Sequence, residues 1–257
     1  MSTNTTLSPI RQRAQHGERP AALGWVDAVP RHWRVEKIKH VAQVQFSNVD
    51  KKSDADEMPV RLCNYVDVYY HDRITSAIEF MEATAAPREI AKFQLSPGDV
   101  LVTKDSEDPN DICVPAVVAE LLPGVICGYH LAQIRPLRAR LAGSFLARAL
   151  GAHGIRDQFR MQANGITRFG LGQDAITSAL VPVPPVAEQL AITAFLDRRV
   201  QQIDDLIAGL PRAVSGTGLM AKQARLLLEY RQALISAAVT GTIDVHHKPR
   251  AESSDAA

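Results

Sequence analysis

Residues 181–186 read VPVPPV, and this short stretch constrains the chain more than any other. Each proline fixes its own φ and pushes the residue before it toward extended backbone. No helix runs through such a segment, so it divides the sequence into two parts of different pattern. Upstream lie short apolar runs separated by turns. Downstream lie two long stretches of helical periodicity.

The upstream part reads as short strands with a few helices. Residues 41–46 (VAQVQF) alternate apolar and polar, the pattern of a half-buried strand. Residues 60–68 (VRLCNYVDV) alternate again and predict a second strand. Ser96-Pro97-Gly98-Asp99 is a turn, followed by a buried strand at Val100-Leu101-Val102. Residues 114–122 and 125–129 flank Pro123-Gly124 and predict a hairpin. Residues 141–150 (LAGSFLARAL) have helical spacing. The expected class is α+β: a mixed α/β domain with short strands, then a helical region.

Downstream, Ile192, Leu196, Val200, Ile203 and Ile207 recur at steps of three and four. Leu227, Tyr230, Leu234 and Ala237 mark a second helix over residues 221–239. Residues 209–221 (GLPRAVSGTGLMA) separate them, and their proline and glycines oppose helix. In one continuous helix, Ile207 and Leu227 would sit about 200° apart on the cylinder, at roughly 100° per residue. With residues 209–221 removed they fall one heptad apart, in an unbroken coiled-coil seam. A loop between two helices that pack separately or in a staggered, antiparallel fashion is therefore expected.

The chain of 257 residues is 46% apolar and 22% charged, with a net charge of +1. That excludes a disordered chain and a uniformly basic one. No apolar run reaches the length of a membrane span, and the N-terminal sequence lacks the apolar core of a signal peptide, so a cytoplasmic protein without membrane contact is expected. Cys63, Cys113 and Cys127 are too few and scattered for a disulfide framework and read as reduced core thiols. The expected layout is a flexible tail over 1–22, one domain over 23–185, a helical region over 186–243 with its loop at 209–221, and a tail over 244–257.

Signatures of catalysis are missing. The sequence holds no P-loop, no G-x-G-x-x-G, no H-E-x-x-H and no G-x-S-x-G. Asp50-Lys51-Lys52 resembles a fragment of a metal-nuclease site, and Asp105, Glu107, Asp108 and Asp111 form an acidic run beside Lys104. Both also read as solvated loops. No catalytic residue, resident metal or cofactor is expected.

Charge is unevenly distributed along the chain. Residues 50–111 hold seven Lys/Arg against fourteen Asp/Glu. Residues 135–168 hold seven arginines (135, 138, 140, 148, 156, 160 and 168) against Asp157 alone. The planar guanidinium fork suits phosphate and guanine, while Asn and Gln pair with adenine. Residues 162–168 (QANGITR) form a polar loop, and Lys104 and Ser106 follow a buried strand, where contact loops are commonly presented. Candidate DNA contacts are Lys104, Ser106, Arg160, Asn164, Thr167 and Arg168. Tyr65, Tyr69 and Tyr70 are candidate stacking or backbone contacts.

Three stretches carry more specific text: residues 23–42 (LGWVDAVPRHWRVEKIKHVA), residues 181–197 (VPVPPVAEQLAITAFLD) and residues 226–245 (LLLEYRQALISAAVTGTIDV). Together, and in this order, they resemble the specificity subunit of type I restriction-modification enzymes, across residues 23–245. The resemblance implies a target-recognition domain that reads one half of a bipartite site in double-stranded DNA. It also implies a helical spacer that docks the adenine methyltransferase (modification) subunit, which brings S-adenosylmethionine, with a restriction/translocase subunit completing the system. The specificity subunit itself is non-catalytic. Glu188, Gln189, Leu196, Ile203, Leu227, Tyr230 and Leu234 become the expected subunit-assembly residues.

The usual subunit of that family carries two recognition domains and two helical regions, where this sequence shows one of each. A homodimer with antiparallel helices would complete a bipartite site and read an inverted repeat. The alternatives are a metal-dependent nuclease using Asp50 and Lys52, and a degenerate helical adaptor that no longer reads DNA.

Overall fold

The structure, a computed structural model, describes residues 18–23, 26–210 and 218–245. An antiparallel pair, β1 (Glu18–Leu23) and β2 (Val26–Pro30), leads into β3 (Arg34–Lys37) and β4 (Ala42–Phe46). Then come β5 (Met58–Cys63), α1 (Tyr65–Tyr69), β6 (Arg73–Ile74), β7 (Met81–Ala85) and α2 (Pro87–Phe93). Four strands and a two-residue one follow: β8 (Val100–Thr103), β9 (Asp105–Ser106), β10 (Pro115–Val118), β11 (Val125–Cys127) and β12 (Leu131–Pro136). The chain closes with α3 (Gly143–Leu150), α4 (His153–Arg160), β13 (Phe169–Gly170), α5 (Gln173–Ser178), β14 (Leu180–Val183), α6 (Val186–Ala208) and α7 (Leu219–Val239). This is the expected α+β class.

A mixed five-stranded sheet in the order β4-β12-β8-β10-β6 forms the centre. Its middle strands are apolar at successive positions because both faces are covered. Val100 and Val102 of β8 face one core, while Leu101 between them faces the other. The first core holds Phe145 and Leu146 of α3, Phe159 of α4, Ile192, Leu196 and Ile203 of α6, and Leu234 and Val239 of α7. The second lies between this sheet and the three-stranded sheet β11-β5-β7, with Leu62, Phe93 and Ile126. All three cysteines are free and buried.

The helical region folds as an antiparallel hairpin. The start of α6 and the end of α7 meet at one place: Glu188 Oε2 lies 2.7 Å from His32 Nε2, and Gly241 packs on Pro30 and Trp33. Gly241 ends α7 at φ +76, and a Cβ there would sit 2.6 Å from the Pro30 ring. Because α6 and α7 share the first core with α3, the segment 181–186 marks a change of pattern without a gap in packing. Of that segment, residues up to Val183 form β14, paired with β3.

Several local expectations need correction. The strand expected over 60–68 stops at Cys63, because Asn64 opens α1 through a capping box with Asp67, whose carboxylate accepts the Asn64 N–H at 2.7 Å. The expected hairpin around Pro123-Gly124 does not form: β10 pairs with β8 and β6, while β11 pairs in parallel with β5. The tail expected over 1–22 is already strand from Glu18. Residues 1–17, residues 211–217 of the expected loop and residues 246–257 of the expected second tail lie outside the described residues.

Candidate nucleic-acid interface

Two segments about sixty residues apart are clasped together beside the central sheet. β9 and β13 pair antiparallel, with Ser106 opposite Phe169 and Asp105 opposite Gly170. The Leu171 N–H donates to the Lys104 carbonyl at 2.8 Å, extending the clasp by one bond. Residues 104–114 leave and rejoin the sheet at Thr103. Its carbonyl accepts from Cys113 N–H at 3.1 Å, and its hydroxyl accepts from Val114 N–H at 3.0 Å. Cys113 there takes φ +61, rare for a residue with a Cβ.

The loop after α4 is equally well fixed. Asn164 exchanges backbone hydrogen bonds with Gly170 (3.0 and 2.9 Å), and its side-chain amide donates to the Gln162 carbonyl at 2.9 Å. Gly165 sits at φ +146, where a Cβ would run into the Arg168 carbonyl. Only glycine lets the loop close here.

Arg168, Asp105 and His130 then form a chain of polar contacts. Arg168 Nη2 donates to Asp105 Oδ1 at 2.6 Å, and His130 Nδ1 lies 2.8 Å from Asp105 Oδ2. The hydrogen bond to Asp105 holds the Arg168 guanidinium above its ordinary pKa. Lys104 Nζ donates to the Ser47 carbonyl at 3.1 Å and lies over the Tyr129 and Phe46 rings at 4.4 and 5.3 Å. Burial lowers its pKa. Beside it, α1 stacks Tyr65 on Tyr69 with centroids 5.5 Å apart. Burial raises the Tyr65 hydroxyl's pKa, and its hydrogen bond with Ser106 opposes that shift. Tyr69 donates to Asp111, which raises the phenol's pKa to about 12. Tyr70 and Tyr129 are exposed.

Thus Lys104, Ser106, Asn164, Thr167 and Arg168 come together on the clasp. Ser106 is buried and holds Tyr65; Lys104 is half-buried; Thr167 and Arg168 face outward. Arg160 stands at the end of α4, near Asp157 at 3.4 Å and donating to Asn110 Oδ1 at 3.3 Å. Sequence reasoning missed Tyr129 and His130. Their signal is the polar, aromatic Gly-Tyr-His run between two buried strands.

The arginine-rich segment is not a basic face, contrary to its linear charge. Arg135 makes a two-pronged pair with buried Asp99, both bonds 2.9 Å. Arg140 pairs with Glu36, Arg148 with Asp72 and Asp197, and Arg156 donates to the Asn110 carbonyl and lies 3.7 Å from Asp111. The acidic run and the arginine run find each other in space. Asp108 accepts the Asn110 N–H at the start of a 3-10 turn, and among the described residues no group of three or more His, Cys, Asp or Glu could hold a metal ion. Asp50 lies on an exposed loop, where its carboxylate accepts the Lys52 N–H.

The expected assembly residues mostly lie inside the chain. Gln189 is fully buried and receives the Ala142 N–H at 2.7 Å, while its amide donates to the carbonyls of Arg140 and Pro184. Glu188, Leu196, Ile203 and Leu234 are buried too. Leu227 is partly buried against the core, and Tyr230 faces outward. Tyr230 belongs to an exposed stripe with Leu219, Leu226 and Ala233, at helical spacing along α7. Among the described residues no helix is long and apolar enough to cross a membrane.

No family model matches this sequence, and no curated protein matches it. Solved structures do. A chain in the structure describing assembly and conformational transition of the type I restriction-modification system matches with a TM-score of 0.52 and 19% identity, covering 85% of this chain and 48% of that one. The HsdS subunit from Thermoanaerobacter tengcongensis matches with a TM-score of 0.49 and 20% identity, covering 85% and 47%. The type I restriction-modification S subunit from M. genitalium matches with 0.43 and 15%, covering 79% and 48%. The chain spans about half the length of the solved chains it matches. At such identity the likeness is one of architecture: this chain shares its fold with about half of a chain in that type I restriction-modification structure.

Proposed function

We propose that this chain reads one half of a bipartite DNA site for a type I restriction-modification system and carries no catalytic residue of its own. The observation that carries this reading is the clasp between β9 and β13. It brings Arg168 to Asp105 and His130, with Lys104 over the Tyr129 ring and Thr167 exposed beside Arg168. Loops of that kind, rich in Arg, Asn, Thr and Tyr, suit base edges and phosphates. The modification subunit docks on the helical hairpin, and through it a restriction/translocase subunit joins the complex. A second copy of this chain pairs through the outer stripe of α7, which would present two recognition faces in inverted repeat. The expected location is the cytoplasm, where such a complex meets DNA.

Internal pairing of the arginines favours a second reading, a helical adaptor without DNA readout. Selection from a random duplex pool separates the two. The full chain is expected to enrich a short defined motif, and Arg168→Ala to lose that enrichment while remaining folded. Recovery of unselected sequence by the wild-type chain at low salt supports the adaptor.

A further inference from the structure

Most polar groups of the 162–168 loop are spent within the chain. Gln162 donates to the Gln158 carbonyl, Asn164 to the Gln162 carbonyl, and Arg168 to Asp105. The two residues between Gly165 and Arg168 are not spent in this way. Thr167 is exposed, and Ile166 is 93% exposed, more than any other large apolar residue among those described. Met161, at 82%, lies at the loop's other end. A lone exposed isoleucine is unremarkable on a loose loop. This loop is fixed by the Asn164–Gly170 pair and by a glycine position that no other residue fits. Ile166 is therefore held out on a preorganised support, and none of the described residues covers it.

Resting on the DNA-reading function above, we propose that Ile166, with the methyl of Thr167 beside it, is a specificity-determining contact for the C5-methyl group of thymine in the major groove. Among the bases only thymine offers an apolar group there, and aliphatic side chains are its natural complement. The neighbouring Arg168 supplies the polar reading that an isoleucine cannot. A tight apolar contact also makes the site sensitive to methyl loss, since removing one buried methyl weakens binding about four-fold.

The probe is the duplex enriched by the full chain from a random pool, remade with deoxyuridine in place of each thymine in turn. The wild-type chain is expected to bind about four-fold more weakly at one thymine position and unchanged elsewhere. Ile166→Ala, at an exposed position outside the core, is expected to lose most of this discrimination, the Thr167 methyl keeping a remnant. Wild-type indifference to uracil at every position overturns the inference and leaves DNA reading intact, as does an Ile166→Ala chain that keeps full sensitivity. If Ile166→Asp keeps the sensitivity and instead dissociates a partner subunit, Ile166 is a protein contact and the inference fails. Failure to enrich any motif overturns the DNA reading together with this inference.

Discussion

Arg168 and Asp105, sixty-three positions apart, meet at 2.6 Å on the clasp, and the same carboxylate holds His130 at 2.8 Å. The aspartate thus aims an exposed arginine while cancelling part of its charge. Two substitutions divide these roles. Arg168→Ala is expected to cost about 1–3 kcal/mol at a single base pair if the guanidinium reads guanine. Asp105→Asn removes a negative charge from the face, so overall DNA affinity rises while discrimination falls. Fluorescence anisotropy against matched and mismatched duplexes, across a salt series, measures both.

Tyr69 donates to Asp111, and its phenol titrates near 12, above its ordinary 10. The folded state therefore favours the protonated phenol. Its contribution to stability is fully present below pH 10 and is lost as pH rises through about 12. Ultraviolet titration of phenolate formation is expected to show one tyrosine with a midpoint near 12, returning toward 10 in Asp111→Asn.

Gln189 is expected from the sequence to serve assembly, yet it satisfies three backbone groups inside the chain. Gln189→Leu leaves the Ala142 N–H and two carbonyls without that partner. Buried unmet groups cost about 1–3 kcal/mol each, so a loss of roughly 3 kcal/mol or more is expected. Urea unfolding of the full chain measures it, and the loss is expected to be independent of protein concentration.

The outer stripe of α7 behaves in the opposite way. Leu226 is half exposed and contributes little to the core. Leu226→Asp is expected to leave the chain's unfolding within about 0.5 kcal/mol of wild type, as ordinary surface changes do. If two copies pair through this stripe, the measured mass falls from two chains to one. Sedimentation of both proteins at matched concentrations checks this.

The elements that the sequence announced are those with strong local rules. Ser96–Asp99 with the Val-Leu-Val run after it, and the three-and-four spacing of α6 and α7, are read correctly from neighbours alone. Misreadings arose where local signals competed. Val60–Val68 alternates, but Asn64 and Asp67 can cap a helix, and the cap prevails. Pro123-Gly124 turns the chain, but β11 pairs with β5, sixty-four residues away, and β10 pairs with β8 and β6 instead of with β11. The clasp depended on such distant pairing too. Loop chemistry pointed to Lys104, Ser106 and Arg168 individually, while Asp105 and His130 became meaningful only once the fold brought them to Arg168. The arginine run misled for the same reason, because its carboxylate partners are supplied by other parts of the chain.

If the clasp reads DNA, its backbone amides are shielded in the complex. Hydrogen exchange of the full chain, free and with an enriched duplex, tests it most directly. Slowed exchange is expected across residues 104–106, 129–130 and 162–170, with α7 unchanged. Protection confined to α6 and α7, with the clasp exchanging as in the free chain, would contradict it.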